Sequence, residues 1–327
     1  MLTRTLLRVA ACASLATLAT APSALAQSYP ARPIKVIVPF PAGATTDIVA
    51  RLVATRVSET IGQPLVVENR AGAGGQLGAE VVAKAPPDGY TLLVHNVTFP
   101  MASAAAQFAN RPLYNVDTDF AGVSIAVYVP LVITANPSVP AADLKELAAL
   151  LQKDRSLHYS YGSTGPGSFM HVIGEAFKRD AKVEMTHVPL KGAAPLKQEL
   201  LAGRLQVGGD QLSSSLADIK SGKLRALATN GAKRILELPD VPTVRELGFA
   251  ALEAEGWNGF FAPAKTPKEI IDRLQREIAA AVRHPDVAKR FVEIGAEPVG
   301  SSPADQDAML RKQLEQFRPI IKEMKLE

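Results

Sequence analysis

From residue 33 onward, short runs of β-branched and aliphatic residues alternate with stretches whose apolar positions recur every three to four residues. The run PIKVIV at 33–38 predicts a first strand. Ile48, Leu52, Val53 and Val57 then fall on one face of a helix over 46–60. A second strand at 65–67 leads to a helix over 75–84, which stops at the turn cluster Pro86-Pro87-Asp88-Gly89. A third strand follows at 90–94. This βαβαβ rhythm predicts a parallel sheet with right-handed crossovers.

The rhythm then recurs. A long β-branched run at 123–134 precedes a helix over 142–152 with Asp143 or a neighbour as its cap. Strands are predicted at 157–161, 183–188, 205–207 and 224–229, and helices over 168–179, 193–202 and 213–220. The last part differs. An extended run at 256–262 holds the single tryptophan, Trp257, and helices follow over 267–283, 286–294 and 303–325. For the first of these, Thr266 is the predicted cap and Pro267 the first-turn residue. The two extended runs flank the second unit. If both are crossover strands, the second unit is inserted in the first, and the result is two lobes around a hinged cleft. The expected class is therefore α/β, with each lobe a mostly parallel sheet flanked by helices. Lobe 1 would be 27–126 with 255–327, and lobe 2 would be 127–254.

The first 26 residues change this picture. Arg4 and Arg8, an apolar stretch through Leu18, and Ala24-Leu25-Ala26 before Gln27 form the pattern of a secretory signal peptide cut before Gln27. The apolar run is shorter than a spanning helix needs. The only cysteine, Cys12, lies inside this segment, so the processed chain has neither disulfides nor thiolate metal sites. Val9-Ala10-Ala11-Cys12 has the look of a lipid-attachment box, but almost no apolar run precedes it. Without Arg4 and Arg8, 34 basic residues face 32 acidic ones, a net charge of +2, which is no footprint for nucleic acid.

Three loops join strands to helix starts. The first, Pro39–Asp47, has two prolines that stiffen it, Gly43 where backbone can approach closely, and Thr45 or Thr46 as a cap. Amides at such a helix start favour an anion. The second, Tyr161–Ser168, is built from Gly and hydroxyl residues. It lacks the Gly-Lys-Ser/Thr ending of a phosphate loop, and neither Ser163 nor Ser168 has the flanking glycines of a nucleophile elbow. The third, Gly72–Gly78, has Leu77 where a dinucleotide loop needs its third glycine. None of the five histidines has zinc-helix spacing. His171 sits one turn into the helix after the second loop. Asp210 ends a predicted strand, where it either faces the cleft or caps a helix. Asp47 and Arg51 are spaced as an ion pair, and Lys191 reads as solvated.

Taken together, the stretches 39–51 (PFPAGATTDIVAR), 68–93, 160–175 (SYGSTGPGSFMHVIGE), 222–229, 238–248, 257–263 (WNGFFAP) and 295–298 resemble the substrate-binding proteins of the tripartite tricarboxylate transporter system, the Bug family. The similarity spans nearly all of the chain after the leader. It implies a type II periplasmic binding fold with two crossover strands, in which loop amides hold a ligand carboxylate, often through bridging waters. Carried over by position, Phe40, Ala42, Gly43, Ala44, Thr45 and Asp47 line the first lobe. Ser163, Thr164, Gly165, Gly167, Ser168 and His171 line the second, with Asp210 nearby. Thr98 joins the set from the stretch 94–108. That stretch departs from the family pattern, as do Ala44, where a second glycine is usual, and Leu190, where an aromatic residue is usual.

The expected function is capture of a small organic acid and its delivery to the permease subunits of a tripartite-type membrane transporter. The expected state is a periplasmic monomer with no cofactor, no metal and no catalysis. Two rivals remain: a periplasmic hydrolase working from the Gly–Ser loop with His171 and Asp210, and a sensory module that presents its closed form to a membrane kinase.

Overall fold

A computed structural model describes residues 29–324, so the predicted signal peptide and its cleavage site lie outside the described residues. Strand β1 (Ile34–Val38), helix α1 (Thr45–Ile61), β2 (Leu65–Asn69), α2 (Gln76–Ala83) and β3 (Thr91–Asn96) realise the predicted βαβαβ unit, and β1 pairs in parallel with both β2 and β3. α1 starts at Thr45, and the backbone of Ala44, not a threonine hydroxyl, occupies its cap position. Helix α3 (Thr98–Phe108), which carries no predicted counterpart, follows β3.

The long run predicted at 123–134 is two strands broken at Val129-Pro130. β4 (Phe120–Tyr128) joins the first sheet and β5 (Leu131–Ala135) the second. Proline removes a ladder donor, so the pairing ends there. The second sheet continues through α4 (Leu144–Lys153), β6 (Ser160–Ser163), α5 (Phe169–Ala181), β7 (Thr186–Pro189), α6 (Ala193–Leu201), β8 (Val207–Gln211), α7 (Leu216–Lys220) and β9 (Arg225–Thr229). Asp143 caps α4 as predicted, accepting from the Glu146 amide at 2.8 Å. The chain returns to the first sheet through β10 (Trp257–Pro263), followed by α8 (Lys268–Arg283), α9 (Pro285–Glu293), β11 (Glu297–Pro298) and α10 (Pro303–Glu323). Pro267 takes the cap position of α8. Thr266 does not cap it, and its hydroxyl is buried without a partner. Ser302 forms a capping box with Asp305 at the start of α10.

The first sheet has the order β11-β4-β10-β3-β1-β2 and the second β7-β6-β8-β5-β9. Both are mixed. β10 and β4 run antiparallel to their neighbours, as does β5, because these strands carry the chain between sheets rather than through a βαβ crossover. The crossing segments touch: the Val129 amide donates to Gly256 O at 2.9 Å. In β6, an added Cβ on Gly162 would strike Leu196 of α6, whereas the Tyr161 ring packs on Gly174 of α5. Successive strand residues face opposite sides, so α5 and α6 cover opposite faces of the second sheet. The core includes Trp257, Phe99, Phe260, Phe261 and Phe317, and the Trp257 indole N–H donates to Gln313 Oε1 at 2.8 Å. No helix of the described residues is long and apolar enough to cross a membrane.

Candidate functional site

In open α/β sheets ligands collect at the carboxyl ends of strands where the strand order reverses. In the first sheet that point lies between β1 and β3, which end in the Pro39–Ala44 loop and at Thr98. In the second it lies between β6 and β8, which end in the 163–168 loop and at 212–215. The structure brings these ends together. Thr45 Oγ1 lies 2.6 Å from Ser213 Oγ, and the Phe169 amide of α5 donates to Thr98 Oγ1 at 3.3 Å. A Cβ on Gly74 would come within 2.8 Å of Pro166 O, and one on Gly192 within 3.2 Å of Pro41 Cδ.

The helix starts α1, α3 and α5 therefore converge, and none has a side-chain cap. The first amides of a helix have no intrahelical acceptor; those of Thr98 and Phe169 go to Asn96 Oδ1 and Thr98 Oγ1, and the remaining first-turn amides present donors and positive dipole ends to the gap. Ser168, at the cap position of α5, has a fully buried hydroxyl with no partner. A buried polar chain ties the floor together. Asn96 Nδ2 donates to Thr46 Oγ1, Thr46 donates to Asn258 Oδ1, and the Thr98 amide donates to Asn96 Oδ1. Asn258 Nδ2 is buried without a partner, and Gln211 Nε2 reaches Trp257 O at 3.4 Å.

Asp47 faces into the protein. It accepts from the Gly43 amide at 2.9 Å, from Arg51 at 3.0 Å, confirming the expected ion pair, and from Asn69 at 2.8 Å. Burial pushes its carboxyl up, but these donors together hold it below the usual carboxylate value. Its action on the site runs through the loop it closes. Phe40, Thr45 and Thr98 are buried, Ala42 and Gly43 are exposed, and Ala44 and Thr164 are half-buried. Asp210 is half-buried, yet the strands around it exclude enough water to push its carboxyl up to about 6, an effect the Gln211 amide only partly offsets. Strand alternation puts Asp210 on the α6 side of the sheet, opposite α5, so it does not meet His171. Lys191 is exposed, as expected.

Beneath the 163–168 loop, Ser163 Oγ lies 2.7 Å from His187 Nε2 and also bonds both the amide and the carbonyl of Gly165. His171 Nδ1 accepts from the Gly167 amide at 2.9 Å, and the two imidazoles stack at 3.9 Å and 3°. His187, Asn96, Asn258, Gln211 and Ser213 were not among the sequence candidates. Polar residues such as Asn258 within an otherwise apolar buried run were the one available signal. A separate open hollow of about 510 Å³ lies between Tyr128, Arg283, Ser302 and Lys312. There Arg283 already donates to Gly300 O and Ser302 serves its capping box, so these polar groups are engaged in the fold.

Residues 49–326 match the model of the tripartite tricarboxylate transporter family receptor, TctC. The chain belongs to this receptor family. Over 309 residues it is 35% identical to the protein BugT of Bordetella pertussis, covering 94% of each chain. It is also similar to two solved structures. MatC (Rpa3494) from Rhodopseudomonas palustris with bound malate is 32% identical, with a TM-score of 0.82, and the match covers 90% of this chain and all of that one. R. palustris Rpa4515 with adipate is 34% identical, with a TM-score of 0.78, and the match covers 89% and 97% of the two chains. TctC receptors are periplasmic solute-binding proteins and not enzymes, which removes the hydrolase reading. The Ser163–His187 pair of this TctC receptor, closed off by Gly165 and fully buried at the serine, belongs to loop architecture.

Proposed function

We propose that this receptor captures a small organic acid between two lobes and hands it to the permease of a tripartite-type transporter. The lobes are 27–126 with 255–327, and 127–254. The observation that carries the reading is the convergence of the uncapped α1, α3 and α5 starts at the strand ends of two facing sheets. Amides and the hydroxyls of Thr45, Thr164, Ser168 and Ser213 supply the donors, Ser163 acts by shaping the loop beneath them, and no cationic side chain is required. Each charge-assisted hydrogen bond contributes about 1.5–3 kcal/mol, so several suffice for micromolar binding near −8 kcal/mol. Malate and adipate in the two similar structures support a dicarboxylate of four to six carbons. The family's transporter supports delivery to a permease over presentation to a kinase. The leader at 1–26 and the family's periplasmic setting support export with cleavage before Gln27, and the receptor works as a monomer without nucleic acid.

The test is thermal melting of the processed protein against mono-, di- and tricarboxylates. Ligand at a hundredfold Kd adds about 2.7 kcal/mol. For a chain of this size that raises Tm by on the order of 5 °C. A shift with one acid class and none with neutral analogues is expected. No shift after denaturation and refolding, which strips any retained ligand, overturns the reading.

A further inference from the structure

The geometry points to His187 and His171 as positioning residues that hold the 163–168 loop in its ligand-competent shape, each through one hydrogen bond made from a shared ring stack. The inference rests on the carboxylate reading for its consequence, but not for its geometry. Three rings lie under the loop. Tyr161 of β6 stands 5.0 Å from His187 of β7, and His187 stands 3.9 Å from His171 of α5. Each imidazole then turns one nitrogen toward the loop. His187 Nε2 meets Ser163 Oγ at 2.7 Å, and Ser163 in turn receives the Gly165 amide at 3.2 Å. His171 Nδ1 receives the Gly167 amide at 2.9 Å. Two histidines thus set the conformation of both glycines that define the loop.

The second bond fixes a tautomer. Because an amide donates to Nδ1, that nitrogen carries no proton, and neutral His171 holds its hydrogen on Nε2. A cationic His171 would set N–H against N–H. The surroundings keep both rings neutral. Burial pushes each down to about 4. For His171 the neighbouring His187 adds to this, Glu175 opposes it and Lys178 again lowers it; for His187, Glu175 raises and Lys178 lowers. Glu175 is occupied by Tyr161 and Lys178, so it does not pair with either imidazole. α3 brings no charged side chain to this face, and the α10 residue Glu323 reaches only Arg179 at the far end of α5.

The test reads the loop and the ligand separately. In the ligand-free protein, His171→Phe keeps a stacking ring but removes the acceptor, and His171→Asn restores an acceptor near the position of Nδ1. Exchange of the Gly167 amide is expected to rise about tenfold in the Phe variant and return in the Asn variant, while the Gly174 amide in the body of α5 stays unchanged. His187→Phe and His187→Gln should do the same for the Gly165 amide. The ¹⁵N spectrum of the wild-type protein should show His171 Nδ1 unprotonated from pH 7 to about pH 5. Calorimetry with malate and adipate should show tenfold weaker binding in the Phe variants and recovery in the Asn and Gln variants. Unchanged Gly167 exchange in His171→Phe, an Asn variant no better than the Phe one, or a protonated Nδ1 in the wild type overturns the assignment. If the Phe variant fails to fold, the wild-type tautomer and the Asn variant decide. If the wild type binds neither acid, the carboxylate reading fails while the exchange data still judge the loop.

Discussion

Replacing Gly167 with alanine should open the contact between the 163–168 loop and α3. Gly167 has φ +71°, and its added Cβ would lie 2.7 Å from Ala105 Cβ and 3.0 Å from Ala102 Cα, both on α3. The left-handed conformation costs an alanine about 1–2 kcal/mol. Overpacking adds about 1–3 kcal/mol, because the second contact is backbone and cannot swing away. The lost freedom of the unfolded chain returns about 0.4–1 kcal/mol. The net loss should be roughly 2–4 kcal/mol. Gly43 is the internal control: its φ is +81°, but nothing lies within 4 Å of an added Cβ. Gly43→Ala should therefore show the strain alone, roughly 0.5–1 kcal/mol net. Urea unfolding of both variants measures the difference. A double variant with Ala105→Gly removes the nearest methyl and should return at least ~1 kcal/mol as coupling. If Gly167→Ala is as mild as Gly43→Ala, or if the double variant is additive, the loop and α3 do not pack as described.

Two further predictions concern pH. Asp210 is pushed up to about 6, so the folded protein takes up a proton before the unfolded chain does, and this group adds stability as pH falls from 6 toward 4. His171 and His187, pushed down to about 4, act oppositely, losing stability as pH falls from 6.5 toward 4. Asp210→Asn should stabilise the protein at pH 7.5 and steepen its loss between pH 6 and 4, as read by urea unfolding across pH; an unchanged profile would refute this. For Asp47, whose carboxyl is held low, stability is present at neutral pH and lost as pH falls through its depressed value. Asp47→Asn should destabilise by about 1.5–3 kcal/mol at pH 7. Its gap to wild type should close in acid below about pH 4, and a gap independent of pH would mean that the charge is not what holds Gly43.

Much of this was legible in the chain. The alternation of apolar runs located nearly every strand and helix to within a few residues, because those elements bury one stripe or both faces of a sheet. α3 escaped because nearly every residue of TFPMASAAAQF is buried, so no polar face marks a period. The break at Pro130 was hidden inside a continuous β-branched run, although the proline itself was the signal. Thr45 or Thr46 was read as a helix cap from local spacing. Thr46 instead bonds Asn258 and Asn96, partners that only the returning strand and β3 can supply. His187 carries no motif, and its role depends on the β6–β7 register that sets Tyr161 opposite it.

β10 occupies the middle of the first sheet, between β3 and β4, although it is drawn from the last third of the chain. Until Pro263 is in place, β4 shares no pairing with β1, β2 or β3, while every strand of the second sheet lies between residues 131 and 229. Such distant pairing slows folding, because the loop must close before the contacts reward it. A chain threaded N-terminus first through a pore would thus emerge with its first sheet unable to complete itself until transit was nearly over. The same strand that closes the floor of the site thus sets a delay on the folding of the first sheet.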